Sequence, residues 1–255
     1  MDEQTQPFVC MKDVHKSFEE KPVLAGLTLD VMAGETLVIL GGSGSGKSVT
    51  LRHIIGLEQP DSGIVRVEGQ EVQDLGEDEL VDIRLKVGFL FQGGALFDSM
   101  NVFENVAFPL RRARWEEERV RERVAEVLSL VNLGEDVCPV MPADLSGGMK
   151  KRVALARAIA VSPRGILYDE PTTGLDPITS NTINKLIRST QQALGVTSIV
   201  VTHDIGSAFY VADRVAFLYE GRIRFLGSVD EARASTDPVL AAFITGRAEG
   251  EQDGG

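Results

Sequence analysis

Cysteine is scarce in this sequence, and long apolar runs are missing from it. The only cysteines, Cys10 and Cys138, form no CxxC pair, which favours a reduced, cytoplasmic compartment. No apolar run approaches the length that a bilayer-spanning helix needs. The first residues, MDEQTQPF, are acidic and polar, so we expect no signal peptide there.

Positive charge is in deficit. The 255 residues include 26 Lys plus Arg against 38 Asp plus Glu, which gives a formal net charge of −12. Binding to a nucleic-acid backbone relies on clustered cations, so this balance predicts no nucleic-acid partner. The apolar fraction of 43% is ordinary for a globular protein that buries a full core.

Predicted strands alternate with predicted helices along the chain. The run TLVIL at 36–40 is apolar on both faces, as a central parallel strand is, and GILYDE and VTSIVVTHD are two further buried strands. Helical patterns follow over 48–57 and from Asp176 to about Leu194, where Asp176 is a good N-cap and Pro177 stands at N1. This alternation predicts an α/β fold with a parallel sheet.

The stretch GGSGSGKS carries the most specific chemistry. It matches the phosphate-loop pattern G-x-x-x-x-G-K-[ST] over residues 41–48, between a predicted strand and a predicted helix. Its glycines let main-chain N–H groups close around the β- and γ-phosphates without a clashing Cβ atom. We expect Lys47 to reach those phosphates and the Ser48 hydroxyl to bind Mg²⁺. A glycine-rich turn with an incidental lysine is the competing interpretation, which the flanking strand and helix disfavour.

Two carboxylates end the predicted strand GILYDE. A phosphate loop needs a carboxylate at a neighbouring strand end to hold its metal ion, and Asp169 fits that place. Glu170 follows it, where a carboxylate can orient or deprotonate the attacking water. His203 comes just after another predicted strand, although a lone histidine at such a place is more often structural.

Together these motifs resemble those of ABC-type ATPases, and the resemblance spans nearly the whole chain. The family's order is a phosphate loop, a glutamine loop, an LSGGQ signature, a metal-binding strand end, a D-loop and a histidine loop. The same order is found here in GGSGSGKS, FLFQGG with Gln92, LSGGM at 145–149, ILYDE at 166–170, GLDP with Asp176, and VTHD with His203. Met149 stands where the family commonly has glutamine, which points to a subgroup.

The resemblance implies a P-loop NTPase (RecA-like) α/β core with an N-terminal antiparallel β subdomain and an inserted helical subdomain. We expect the cassette over residues 8–246, the helical subdomain at about 93–157 and a flexible tail at 247–255. The implied cofactors are ATP and Mg²⁺. The family also implies a head-to-tail dimer in which the signature of one subunit, Ser146, Gly147 and Gly148, approaches the γ-phosphate held by the other.

The resemblance assigns three sets of site residues. The catalytic set is Glu170, His203, Lys47 and Gln92, with His203 holding the γ-phosphate and the water. The metal ligands are Ser48, Gln92 and Asp169. Phe18 is expected to stack on adenine, with a core position at a strand end as the alternative. The nucleotide-binding set is Phe18, Gly41, Gly42, Ser43, Gly44, Ser45, Gly46, Lys47, Ser48, Val49, Ser146, Gly147, Gly148 and Asp176.

The implied partners depend on the segment after Gln92. GGALFDSMNVFENVAFPLRR, LSGGMKKRVALARAIA and YDEPTTGLDPI resemble the ATPases of Mla/MCE phospholipid transport systems of bacterial inner membranes. That resemblance implies a separate permease dimer, a periplasmic MCE protein, a small cytoplasmic STAS-domain protein and a peripheral location on the cytoplasmic side of the inner membrane. Phe97, Met100 and Phe103 either line the permease groove or pack internally.

Two other functions fit some of the same features. An importer of a small polar solute, such as an amino acid, is one, although many such ATPases keep glutamine in the signature and several carry a C-terminal regulatory domain. A soluble ABC protein of DNA repair or translation is the other, but neither a coiled-coil insertion nor a second cassette is visible. The apolar stripe of PVLAAFITG, at 238–246, either packs on its own core or reaches a second subunit or a small partner.

Overall fold

The computed structural model describes residues 6–246, and the chain forms two compact units. The first unit comprises the residues up to Asp74 and those from Val201 onward, and the second comprises Leu75–Val200. The predicted tail at 247–255 lies outside the described residues. Within 6–246, no helix is both long enough and apolar enough to cross a membrane.

The strands and helices alternate as the sequence predicts. The strands are β1 (Val9–Phe18), β2 (Lys21–Val31), β3 (Thr36–Leu40), β4 (Ser62–Val67), β5 (Gln70–Glu71), β6 (Val87–Leu90), β7 (Gly165–Asp169), β8 (Thr197–Thr202), β9 (Arg214–Tyr219) and β10 (Arg222–Ser228). The helices are α1 (Lys47–Ile54), α2 (Glu77–Lys86), α3 (Val102–Arg112), α4 (Glu117–Leu130), α5 (Gly147–Ile159), α6 (Pro177–Leu194), α7 (Ile205–Val211), α8 (Val229–Arg233) and α9 (Pro238–Thr245).

The first unit contains an antiparallel sheet in the order β2-β1-β4-β5. Val9 of β1 lies opposite Val31 of β2 on one side and Val67 of β4 on the other, and all three side chains are buried. This sheet matches the antiparallel β subdomain that the resemblance implies. The same unit contains β3, which pairs in parallel with β9, and β10, which returns antiparallel to β9.

Every residue of β3 is buried, so it has the two-sided burial predicted for a central parallel strand. The helix that follows is one of the predicted helices, but it ends at Ile54 rather than near residue 57. Gly56 ends it with a φ of 63°, and the Leu57 N–H bonds to the Arg52 oxygen at 2.9 Å, the pairing of a Schellman cap. A left-handed glycine is therefore the reason for the earlier end.

The second unit contains parallel strands and most of the helical residues. β7 is buried along its whole length and lies between β6 and β8, and β6 pairs with it in parallel from Val87 opposite Gly165 to Leu90 opposite Tyr168. Helices α3, α4 and α5 pack on one another through buried apolar side chains. They occupy the stretch predicted as a helical subdomain. Asp176 caps α6 and Pro177 opens it, as predicted.

Candidate functional site

The loop between β3 and α1 turns sharply at Gly46. This residue is the N-cap of α1 and has a φ of 103°, in the left-handed region that glycine tolerates. A Cβ atom there would lie 2.9 Å from Leu24 Cδ2 and 3.0 Å from the Val23 main-chain oxygen. Any other residue would be strained and would push the loop away from β2.

The same loop gathers donors suited to phosphate. Lys47 is 6% exposed, and its ammonium group donates to the main-chain oxygens of Gly41 at 2.8 Å and Gly42 at 2.9 Å. The Ser45 hydroxyl is buried and has no hydrogen-bond partner among the described residues. Gly46 supplies no side chain to cap α1, so the positive end of that helix suits an anion. A triphosphate suits this loop because it is a multiple acceptor and the loop combines a lysine, a buried hydroxyl and a helix N-terminus.

Strand β7 ends in the two predicted carboxylates. Asp169 is its last residue and Glu170 follows it, and they are only 5% and 7% exposed. The Glu170 carboxylate accepts a hydrogen bond from Thr173 Oγ1 at 3.0 Å. Its main chain has a φ of 47°, which turns the chain sharply at the strand end. Buried carboxylates need donors or cations nearby to remain ionised.

Lys151, on α5, brings a cation to these carboxylates. The side chain is 5% exposed, and its ammonium group donates to the main-chain oxygen of Gln92 and, at 3.4 Å, to that of Glu170. Burial lowers the pKa of Lys151, while the negative charges of Asp169 and Glu170 oppose part of that effect. One ammonium group thus links α5, the glutamine loop and the end of β7.

The glutamine loop continues along the side of α5. A Cβ atom on Gly94 would lie 3.6 Å from Ala154 Cβ, so the loop backbone rests directly on the helix. The Arg157 guanidinium donates to the main-chain oxygens of Gly94 at 3.0 Å and Ala95 at 2.8 Å. Gln92 itself has an exposed side chain. The loop is therefore fixed through its backbone, and its glutamine side chain points away from the protein core.

Asn105 holds the end of this loop. It is fully buried, its Oδ1 accepts from the Phe97 N–H at 2.8 Å, and its Nδ2 donates to the main-chain oxygens of Phe97, Met100 and Asn101. These bonds present the Phe97 ring at the surface, where it is 41% exposed. The equally exposed Phe108 ring lies 4.8 Å from it between centroids.

The two other aromatic or apolar candidates for a permease groove are less accessible. Met100 and Phe103 are half-buried, and the Phe103 ring lies 5.6 Å from the Arg111 guanidinium carbon. On this segment, therefore, Phe97 forms an exposed apolar patch together with Phe108, a residue that the sequence did not single out.

The signature residues open helix α5. Ser146 is its N-cap and accepts from the Met149 N–H at 3.3 Å, and Gly147 is its first residue. Because this bond uses the main chain of residue 149, methionine in place of glutamine leaves the cap unchanged. Gly148 is buried so tightly that a Cβ atom would lie well under 3.0 Å from Thr179 Cγ2. Close approach of α5 to α6 therefore requires glycine here.

Asp176 has a local structural role that the sequence predicts. Its Oδ1 accepts from the N–H groups of Ile178 and Thr179, both at 3.0 Å, and its Oδ2 accepts from Thr179 Oγ1 at 2.5 Å. The hydrogen bonds from Thr179, the hydroxyl first, lower the pKa of Asp176. The carboxylate thus fixes the start of α6.

The structure places the predicted residues in two sets. Phe18, residues 41–49 and His203 belong to the first unit, where Phe18 is 39% exposed at the end of β1 and His203 is exposed between β8 and α7. Gln92, Asp169 and Glu170 meet around Lys151 in the second unit, which also holds the signature glycines and Asp176.

Comparison with known proteins identifies the family. The sequence profile described as ABC transporter matches residues 24–173, more than half of the chain. The chain belongs to the ABC transporter family. It is 40% identical over 93% of its length to the probable ribonucleotide transport ATP-binding protein mkl of Mycobacterium leprae, and covers 68% of that protein. It is 41% identical over 94% of its length to protein TRIGALACTOSYLDIACYLGLYCEROL 3, chloroplastic, of Arabidopsis thaliana, and covers 74% of it.

A solved structure supports the same assignment. The dimeric structure of the ATP-binding cassette MJ0796 in a post-hydrolysis state, bound to ADP and Pi, is 37% identical, with a TM-score of 0.80. The match covers 87% of this chain and 98% of that one. This ABC transporter protein therefore has the ABC ATPase cassette fold, and it is an ATP-binding, ATP-hydrolysing subunit. The α/β class and the ATPase activity expected from the sequence are confirmed.

Sequence reasoning missed the residues that organise the second unit. Lys151 is the clearest case, because it lies three, four and seven residues before Ala154, Leu155 and Ala158, all buried. A lysine on the apolar face of a helix was a readable signal. Asn105 is a weaker case, since it is readable only as an amide on a buried helix face and its partners are mostly main-chain atoms.

Proposed function

We propose that this ABC transporter ATPase powers the movement of a phospholipid or similar hydrophobic molecule by a bacterial inner-membrane transporter. One observation carries the proposal. The chain is 41% identical, over 94% of its length, to an Arabidopsis protein whose name is that of a galactosylated diacylglycerol lipid. Met149 in the signature and the resemblance of the segment after Gln92 to Mla/MCE-type ATPases agree with it.

Transport of a polar solute is a second candidate. The Mycobacterium leprae relative is named for ribonucleotide transport. Its 40% identity over 93% of this chain nearly equals that of the Arabidopsis protein. Overall identity therefore does not separate a lipid from a polar solute. The two functions are distinguished by identifying which substrate stays bound to the assembled transporter or stimulates its ATP hydrolysis.

The proposed chemistry assigns a role to each part of the site. Lys47 and the phosphate loop bind the triphosphate, Glu170 orients or deprotonates the attacking water, and His203 and Gln92 complete the catalytic set. Mg²⁺ is proposed as cofactor, with Ser48, Gln92 and Asp169 as ligands. In the described residues no group of three or more His, Cys, Asp or Glu forms a metal site. Protein-bound Mg²⁺ often relies on one or two carboxylates and substrate phosphates, so this finding is compatible.

A head-to-tail homodimer is proposed as the working form, with each signature helix facing the ATP of the other subunit. The MJ0796 cassette of the solved structure is a dimer, which supports this arrangement. Ser146→Arg should block closure on the partner's nucleotide and leave the chain's own phosphate loop intact. Mixed dimers should retain one intact composite site only when Ser146→Arg and Lys47→Ala fall on different subunits, because one site then carries both defects and the other carries neither. Equal activity in both arrangements would contradict the dimer.

The apolar patch of Phe97 and Phe108 is the proposed permease contact. Exposed neighbouring aromatic rings on one unit are suited to an apolar partner surface. We further propose a permease dimer as the main partner, with a periplasmic MCE protein and a small cytoplasmic STAS-domain protein as additional ones. The ATPase would then be peripheral, on the cytoplasmic side of the inner membrane.

The deciding experiment uses the transporter purified through a tag on this chain with its co-expressed membrane partner. Native mass spectrometry should find phospholipid bound to the complex, and phospholipid vesicles should stimulate ATP hydrolysis severalfold. An amino acid or a ribonucleotide should have no effect. Stimulation by one of those solutes, without retained lipid, would establish the polar-solute function instead. The Phe97→Asp variant serves as the control for assembly.

A further inference from the structure

Lys151 is the buried cation of the second unit that the motif-based assignment leaves without a role. Its side chain is 5% exposed, on the helix face that also carries Ala154 and Leu155. Taking an ammonium group out of water is costly, and an apolar residue of similar size often serves a purely structural position as well or better. The lysine therefore calls for an explanation beyond packing.

The partners of Lys151 supply that explanation. Its Nζ donates to the main-chain oxygens of Gln92 and Glu170, residues 59 and 19 positions away along the chain. Each of those residues carries a side chain with a proposed part in hydrolysis. The bonds go to backbone atoms, so both side chains remain available for chemistry while their attachment points are fixed.

Neighbouring contacts make α5 a rigid support for this link. Arg157 binds the oxygens of Gly94 and Ala95, and Gly94 rests on Ala154, so the loop after Gln92 is tied to the helix at more than one point. The same helix begins with the signature, capped by Ser146. A displacement of α5 would therefore be carried to Gln92 and Glu170 through Lys151.

We propose that Lys151 is a positioning residue for ATP hydrolysis: its ammonium group holds the backbones of Gln92 and Glu170 together against the signature helix. The inference rests on the proposed catalytic role of Glu170, and it is independent of the transported substrate. A misplacement of about 1 Å in a catalytic group can cost on the order of 10²-fold in rate. Loss of the link should therefore lower turnover without weakening ATP binding, which belongs to the phosphate loop.

The experiment compares four variants of the full-length chain. Lys151→Met removes the ammonium group at similar length, and Lys151→Arg keeps a cationic donor. Arg152→Met is the matched control, because Arg152 is the next residue on α5 and also donates to a backbone oxygen, that of Asn132 at 2.8 Å. Glu170→Gln tests the catalytic carboxylate. The measured quantities are kcat and KM for ATP, the melting temperature, and amide hydrogen exchange over residues 92–97 and 170–173.

Lys151→Met should lower kcat by about 10- to 100-fold and leave KM within about twofold. Lys151→Arg should recover kcat to within about fivefold of wild type, and Arg152→Met should stay within about twofold. Without ATP, amide hydrogen exchange at residues 92–97 should be faster in Lys151→Met than in wild type, and it should be unchanged in the other three variants. If Lys151→Met does not fold, Lys151→Gln replaces it with the same expectations.

Two results would overturn the inference. One is wild-type kcat in folded Lys151→Met. The other is an activity loss that merely follows the melting temperature and is equal in the Met and Arg variants. Glu170→Gln separates the two proposals, because normal turnover in that variant refutes the role of Glu170 itself. If Glu170→Gln is inactive and Lys151→Met is fully active, only the positioning role of Lys151 is refuted.

Discussion

Gly148→Ala tests how tightly the signature helix is packed on α6. The added Cβ atom would lie well under 3.0 Å from Thr179 Cγ2, whereas non-bonded carbons prefer about 3.5–4.0 Å. Thr179 cannot rotate away without cost, because its hydroxyl donates to Asp176 Oδ2 at 2.5 Å. The clash must therefore be relieved by a shift of α5 against α6.

The magnitude follows from two opposing contributions. Overpacking of this kind costs about 1–3 kcal/mol, and exchange of glycine for alanine in a helix returns up to about 1 kcal/mol. The difference leaves an expected net destabilisation of about 0–3 kcal/mol. Thr179→Ser removes only the clashing methyl group, keeps the hydroxyl that binds Asp176, and costs at most about 0.8 kcal/mol. In the Gly148→Ala/Thr179→Ser double variant the clash is gone, so a coupling energy of about 1–3 kcal/mol is expected.

The assay is urea unfolding of the two single variants and the double variant. It is followed by the fluorescence of Trp115, the single tryptophan, which lies in the same unit as the change. Gly147→Ala is the control, because its Cβ atom would meet Leu175 Cδ2 at an acceptable 3.4 Å. If the effects of Gly148→Ala and Thr179→Ser add within about 0.5 kcal/mol, the clash is not the cause and the reasoning fails.

Three further predictions concern the phosphate loop, the carboxylate and the last helix. Lys47→Ala should reduce ATP turnover by about 10²–10³-fold and weaken ATP binding, so hydrolysis within a few-fold of wild type would reject the assignment. Glu170→Gln should still bind ATP and should accumulate an ATP-bound dimer on size-exclusion chromatography, which wild type loses as it hydrolyses. Leu240→Ala should cost about 2–5 kcal/mol of folding free energy because Leu240 is fully buried, whereas the exposed Thr245→Ala should cost under about 0.5 kcal/mol. An unchanged melting temperature in Leu240→Ala would leave α9 as an assembly element instead.

The phosphate loop was predictable because its chemistry is local. The left-handed turn at Gly46, the helix start at Lys47 and the donors around them lie within a few residues, and the pattern of the sequence encodes each one. The caps of α5 and α6 were readable for the same reason, since Ser146 and Asp176 bond to N–H groups two or three positions ahead. Interactions between residues that are close in sequence can be recognised from the residue types alone.

Helix α9 was only partly predictable from the sequence. Its stripe predicted a covered face, but not what covers it. The structure places the Phe243 ring 5.1 Å from the Phe217 ring of β9, within the first unit, and buries Leu240 completely. This supports the interpretation that the stripe belongs to the chain's own core. Helical periodicity identifies an apolar face, and only the fold identifies its partner.

The contacts that support the proposed catalytic side chains could not be predicted from the motifs. Main-chain oxygens accept from the side chains of Lys151, Arg157 and Asn105. Because every residue has a main-chain oxygen, no pairing of residue types in the sequence predicts these contacts. Their positions are readable only as cations or amides on buried helix faces, where each polar group must find a partner. A motif therefore indicates the residues proposed for the chemistry. The buried polar groups left over once the motifs are assigned indicate what holds those residues in place, which is the reasoning that singles out Lys151 for mutation.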